Sequence, residues 1–391
     1  MPDVDTMGGT EKGARSMKVE ARWRRARVVV FVLAVLGVLG FRPASQHARA
    51  ASLLMTFSDK DAKPAVTDER TTFDRDGDRI DARLYRPAGV TNPPGVVLVH
   101  GVNHFGIDDV RLERFARAVA SAGVLVMTPA VSELSDYHVA PRSIDTVGAA
   151  VMDLQQRVGG PGAEVGLMGM SFGGGISLLA AADERFSHRV SFVVAVGAHD
   201  DLGRVSRFFV TDEITKPNGE QSKLEAHGYG MMILVYTHVE DFFPADDVAA
   251  AREALRLWIW EKRDDARKTA EALSPASKDK FERLVGDGAE VLRPEMLALI
   301  DRHGADMAAV SPHGRLGSIR ANVYLLHGEG DTVIPASETA WLAEDVPPAR
   351  LKSSLITPAL EHVDLKNPSA ADQWALVHFM GQVIAEADAQ K

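Results

Sequence analysis

The chain contains no cysteine. That absence excludes a thiol nucleophile, a disulfide framework and cysteine-ligated metal. It leaves the compartment open, because oxidising and reducing spaces both tolerate a cysteine-free protein. Long apolar runs are missing too. The strongest, VVVFVLAVLGVLGF at 28–41, has 14 residues, short of the roughly 20 that a membrane-spanning helix requires. A basic body is also lacking. Residues 1–50 hold nine Lys and Arg against four Asp and Glu, which leaves 35 basic and 50 acidic residues for the rest. An acidic body argues against nucleic-acid partners and against tight binding to anionic lipid surfaces. No internal repeat or low-complexity tract is present.

What is there is enough for a large globular protein. The 391 residues are 46% hydrophobic and 25% charged, so a sizeable core can form and the composition argues against global disorder. One large α/β domain with an insertion, or two domains, is expected at this length. The first fifty residues read as an address. Arg22, Arg24, Arg25 and Arg27 precede the run 28–41, and Ala48-Arg49-Ala50 closes the segment. A basic region, a short apolar region and an A-x-A triplet are the three parts of a secretory signal. Met17 is an alternative start, and cleavage is expected after Ala50. The competing reading is an uncleaved anchor that tethers an exported body by its N-terminal segment. Both of these readings place the body outside the cytoplasm, periplasmic or secreted; a third makes the run a buried element of the core. Residues 51–70 are polar, contain Pro64, and read as a linker.

The body begins with alternating residues around Asp76-Gly77, the signature of a hairpin turn. Continuous apolar runs then appear at 95–101, 124–130, 164–170 and 190–197, as expected of strands buried on both faces. Helical periodicity separates them, at 110–121, 142–157 and 172–182. Strand–helix alternation implies right-handed crossovers and a parallel sheet. From about 202 to 320 the alternation stops and the pattern turns helical. The clearest stretch is 246–273, with Val248, Ala251, Leu255, Trp258 and Ile259 on one face. A strand at 322–328, a helix at 335–346, a strand at 351–358 and a helix at 371–389 complete the chain. The expected organisation is 1–50 as signal or anchor, 51–70 as linker, 71–201 and 319–391 as two parts of one core, and 202–318 as a helical lid.

The chemistry-bearing motif is Gly169-Met170-Ser171-Phe172-Gly173, a G-x-S-x-G between a buried strand and a helix. That context is what a nucleophile elbow demands. A turn this sharp needs small residues two before and two after the serine. It lifts the hydroxyl to the rim of the sheet and aims a helix N-terminus at it. Serine alone is a poor nucleophile near neutral pH and needs a base, which in turn needs an orienting acid. The order expected on this scaffold is serine, acid, histidine. Asp331 follows the strand 322–328, and His362 follows the strand 351–358. The catalytic assignment is therefore Ser171 as nucleophile, His362 as general base and acid, and Asp331 as orienting acid. Asp200 and Asp201, just past the fourth buried strand, are alternative acids. His378, His327 and His100 read as structural. The oxyanion needs two N–H donors. Phe172 supplies one, and Val102, in the loop His100-Gly101-Val102-Asn103, the other, with Asn103 as second choice.

With these residues in view, the chain resembles the α/β-hydrolase superfamily, in particular its dienelactone-hydrolase-like and prolyl-oligopeptidase-like serine esterases. The resemblance covers residues 71–201 and 319–390. It rests on LVHG at 98–101, GMSFGG at 169–174, LLHGEGDTVIP at 325–335 and EHVDL at 361–365. It implies a mostly parallel, roughly eight-stranded twisted sheet flanked by helices. It also implies hydrolysis of a carboxylic ester through an acyl-enzyme, with no metal and no organic cofactor. The insertion 202–318 matches no specific subfamily. Its aromatics, Phe208, Phe209, Tyr236, Phe242, Phe243, Trp258 and Trp260, are expected either to line an apolar substrate pocket or to form the lid's own core. The same triad would also serve an acyltransferase or a peptidase. A reading of another class, a non-catalytic binding protein on this scaffold, is disfavoured because all three positions are filled. The expected partner is a small-molecule ester or acyl substrate.

Overall fold

A computed structural model describes residues 43–286, 288–362, 364–365 and 369–390. The apolar run 28–41 and the basic residues before it lie outside the described residues. Among the described residues, no helix is long and apolar enough to cross a membrane.

Eight strands form one sheet: β1 (Val66–Arg75), β2 (Asp78–Pro87), β3 (Gly95–Val99), β4 (Leu125–Pro129), β5 (Val165–Met170), β6 (Val190–Val196), β7 (Asn322–Gly328) and β8 (Leu351–Thr357). Their spatial order is β1-β2-β4-β3-β5-β6-β7-β8. β1 pairs antiparallel with β2 and β2 antiparallel with β4; every later pairing is parallel. The β1–β2 turn is made by Asp76 and Gly77, both at positive φ, 54° and 90°. That is the backbone a two-residue hairpin requires. β3, β4 and β5 are buried almost throughout, which is why each reads as an unbroken apolar run rather than an alternating one.

Helices cover both faces. α1 (Val110–Ser121) lies on one face; α2 (Pro141–Val158) and α3 (Phe172–Ala182) lie on the other. α4 (Leu202–Thr211) opens the insertion, and α5 (Tyr229–Thr237) follows within it. After β7 comes α6 (Ser337–Asp345), and α7 (Ala370–Asp388) closes the chain against the face that carries α1. The insertion is helical apart from a short ribbon, Glu213–Thr215 with Gln221–Lys223. It has a core of its own, built around Tyr236, Phe242, Leu255, Phe281 and Met296. The stretch 246–273 is two helices, Val248–Ile259 and Arg263–Ala270, broken where Glu261 takes a φ of 60°.

The linker expected at 51–70 is not a linker. Residues 43–58 are one helix, and 66–70 already belong to β1. Ala50, Leu53 and Phe57, spaced three and four apart, form the buried stripe by which the helix docks beside α1 and α7. Arg49 adds an ion pair to Asp388 (2.7 Å) and donates to the Ala122 carbonyl (Nε–O 3.0 Å). His47 stacks on Trp374 and His378. The triplet that resembles a processing site thus sits mid-helix, and Ala50 is small because it packs at 0% exposure.

Candidate active site

The parallel strands present their carboxyl ends along one rim, and that is where the functional side chains collect. Ser171 sits between β5 and α3 with φ 54° and ψ −134°. A non-glycine residue held there stores strain of roughly 1–3 kcal/mol. Two backbone hydrogen bonds hold it: Ser171 N–H donates to the Val196 carbonyl (2.8 Å), and Gly174 N–H donates to the Ser171 carbonyl (2.8 Å). A Cβ at Gly173 would come within 2.3 Å of the His100 carbonyl, so only glycine lets the elbow lie against the β3 loop. Ser171 is buried, and its Oγ has no hydrogen-bond partner. Hydroxyl–imidazole bonds of this type often tighten only on substrate binding.

Asp331 lies in the turn after β7 and is fully buried. Its Oδ1 accepts from the N–H groups of Val333 (2.8 Å) and Ile334 (3.0 Å). Its Oδ2 accepts from His362 Nδ1 at 2.7 Å and stands 3.4 Å from His327 Nε2. Burial by itself would raise the pKa of this carboxyl. The hydrogen bonds and charges of His327 and His362 outweigh burial and hold it well below the ordinary carboxylate value. His327 is fixed in turn between Thr339 Oγ1 (2.6 Å) and the Ile334 carbonyl (2.8 Å). With Nδ1–H committed to Asp331, the imidazole of His362 keeps its Nε2 lone pair free. His362 itself stands at φ 49°, just after the short strand Leu360–Glu361.

Ser171 and His362 line the same cavity, of about 280 Å³. The β3 loop contributes His100, Gly101, Val102 and Asn103 to its lining. Gly101 approaches the serine so closely that a Cβ there would lie 2.9 Å from Ser171 Cβ. Phe172 opens α3, where the first-turn N–H groups have no intrahelical acceptor. Val102 therefore borders the same cavity as Ser171, and Phe172 directly follows the serine in the chain. The carbonyl of Val102 accepts from Tyr229 Oη at 3.3 Å, which ties the loop to α5 of the insertion.

The alternative acids have other work. Asp200 Oδ2 accepts from Arg204 (2.8 Å) and from His313 (3.0 Å), and Asp201 caps α4 by accepting from Arg204 N–H. His100 is buried, accepts from Val131 N–H at 3.2 Å and faces the Gly101 carbonyl at 2.7 Å. Burial lowers its pKa. His378 is bonded to His47 and Gln382 on the helical surface. Among the described residues, Asp200, His313 and Asp345 are the one group whose ligating atoms converge, within 4.8 Å. Those atoms are already spent on one another and on Arg204: His313 Nδ1 is 3.0 Å from each carboxylate.

The seven insertion aromatics singled out in the sequence do not line the cavity. Phe208 and Phe209 pack into the main core, Tyr236, Phe242 and Phe243 into the insertion's core, and Trp258 against Phe281. Trp260 stacks on His104 of the β3 loop. The insertion reaches the cavity instead through His227 and Tyr229, and the N-terminal helix reaches it through Phe57. Sequence reasoning missed all three, since none carries a local signal.

A sheet ordered β1-β2-β4-β3-β5-β6-β7-β8 with β2 reversed, bearing the serine after β5, the acid after β7 and the histidine after β8, decides the architecture. The chain has the α/β-hydrolase fold. No protein-family model matches it, and no curated protein does. Solved structures that it resembles include an esterase of Pyrobaculum calidifontis, at 14% identity and a TM-score of 0.46 over 90% of this chain and 92% of that one. Brefeldin A esterase, described as a bacterial homologue of human hormone-sensitive lipase, is 16% identical with a TM-score of 0.47 over 90% and 86%. The acylaminoacyl peptidase of Pyrococcus horikoshii is 11% identical with a TM-score of 0.45; the match takes in 82% of this chain and only 40% of the peptidase. At these identities the likeness extends to the fold alone, and the α/β-hydrolase assignment rests on the strand order.

Proposed function

We propose that this protein is a serine hydrolase that cleaves a carboxylic ester through an acyl-enzyme on Ser171. The carrying observation is the 2.7 Å bond between His362 Nδ1 and Asp331 Oδ2, in a histidine that lines one cavity with a serine on a strained elbow. In this reading His362 Nε2 takes the Ser171 proton as Oγ adds to the ester carbonyl. Asp331 keeps the imidazole in the required tautomer and stabilises the imidazolium. The N–H groups of Phe172 and Val102 receive the oxyanion. The tetrahedral adduct collapses as His362 returns the proton to the departing alcohol. Water, deprotonated by the same imidazole, then attacks the acyl carbonyl, and Ser171 is released with the acid product. Export also belongs to this proposal: the basic and apolar residues before position 43 deliver the body across a membrane or tether it there.

A fluorophosphonate probe tests the chemistry. The wild type is expected to be labelled, Ser171→Ala not at all, and His362→Ala at a rate lowered by several orders of magnitude. Folded wild type that resists the probe would contradict the reading.

A further inference from the structure

The cavity beside Ser171 is assembled from three distant parts of the chain. The N-terminal helix contributes Phe57, which packs edge-to-face on Phe115 of α1 with ring centroids 5.0 Å apart. Leu112, Phe115, Met170 and Val333 continue the apolar lining from α1, β5 and the turn after β7. On the wall, Arg111 Nη2 lies 3.0 Å from Asp109 Oδ2, and Asp109 also caps α1 by accepting from Arg111 N–H. At about 280 Å³ the cavity falls just below the roughly 300–1,000 Å³ typical of drug-sized ligands.

We propose that Phe57 is a specificity-determining residue and that helix 43–58 is one wall of the substrate pocket, selecting esters with a short apolar acyl or alkyl group. The proposal rests on the serine-hydrolase reading above. The stripe Ala50–Leu53–Phe57 explains how the helix is held in register: all three pack into the core, and Phe57 also borders the cavity. Shortening Phe57 opens the end of the pocket without touching the elbow, the acid or the histidine. Enlarging it closes the pocket further. A pocket wall discriminates by the free energy of fitting each added methylene, which is worth roughly ten-fold or more per group.

The test is the ratio of kcat/KM for p-nitrophenyl octanoate over p-nitrophenyl butyrate in the full-length protein, beside the fluorophosphonate labelling rate. Phe57→Ala is expected to raise that ratio at least tenfold with labelling little changed, and Phe57→Trp to lower it. Phe57→Leu, which keeps an apolar side chain on the stripe, should fall between wild type and Phe57→Ala and serves if the alanine variant does not fold. Met55→Ala, on the exposed side of the same helix, should leave the ratio alone. Labelling together with an unchanged ratio in the folded Phe57 variants would overturn the pocket proposal and leave the hydrolase reading standing. Failure of the wild type to label would remove both.

Discussion

At the scale of single residues, the site is a chain of proton-bearing groups, each held by the next. Asp331 is the fixed point, because two backbone N–H groups and two histidines surround one buried carboxylate. Asp331→Asn keeps the shape and reverses the proton logic. The amide would donate to His362 Nδ1, and the imidazole proton would move to Nε2, facing Ser171. A loss in kcat on the order of 10⁴-fold is expected, with KM little changed. The same substitution has a signature in stability. A carboxyl whose folded pKa is depressed stabilises the native state above its unfolded pKa of about 3.9 and loses that contribution as pH falls. The Tm gap between wild type and Asp331→Asn should therefore be full at pH 6 and narrow toward pH 3. A gap independent of pH over that range would contradict the assignment of charge.

Between elements, the insertion is fastened to the core by a buried charged cluster. Arg204 of α4 reaches Asp200 and Glu338, and Glu338 accepts from the N–H groups of both Asp200 and Asp201 (2.9 Å each). His313, at the exit of the insertion, closes the cluster against Asp200 and Asp345. Burial, with the charge of Glu338 added, pushes the Asp200 carboxyl up to about 7, although Arg204 pulls it down. A raised carboxyl contributes stability that is complete below its unfolded pKa and lost as pH rises through the folded one. Thermal melts should thus show Asp200→Asn gaining on wild type between pH 5 and pH 8, by roughly 2–4 °C. Parallel pH slopes for the two proteins would refute this. Elements also show where sequence reading succeeds and fails. β3 to β7 were legible because burial on both faces leaves an unbroken apolar run. The elbow was legible because its steric demands fall on five consecutive residues. The helix 43–58 was not, because Ala48-Arg49-Ala50 behind an apolar run satisfies the pattern of a processing site as well as that of a packed helix. The break at Glu261 leaves no glycine or proline to announce it.

Across the whole molecule, a doubly covered sheet presents Ser171, Asp331 and His362 from loops 160 and 31 residues apart in sequence. Two further segments, one before the sheet and one inserted into it, complete the cavity. Phe57 and Tyr229 could not be assigned to a pocket from sequence, since a contact between remote segments has no period and no motif. Ser171, Asp331 and His362 could be named as candidates from the sequence because the scaffold dictates their chain order. The account stands on covalent chemistry at one atom. Rapid-quench mass spectrometry during turnover of p-nitrophenyl butyrate reads that atom directly. The account predicts a butyryl adduct on the peptide containing Ser171 that forms in the wild type, decays with turnover, and is absent from Ser171→Ala. Ester hydrolysis at full rate with no adduct on Ser171, or with the adduct on another residue, would contradict it.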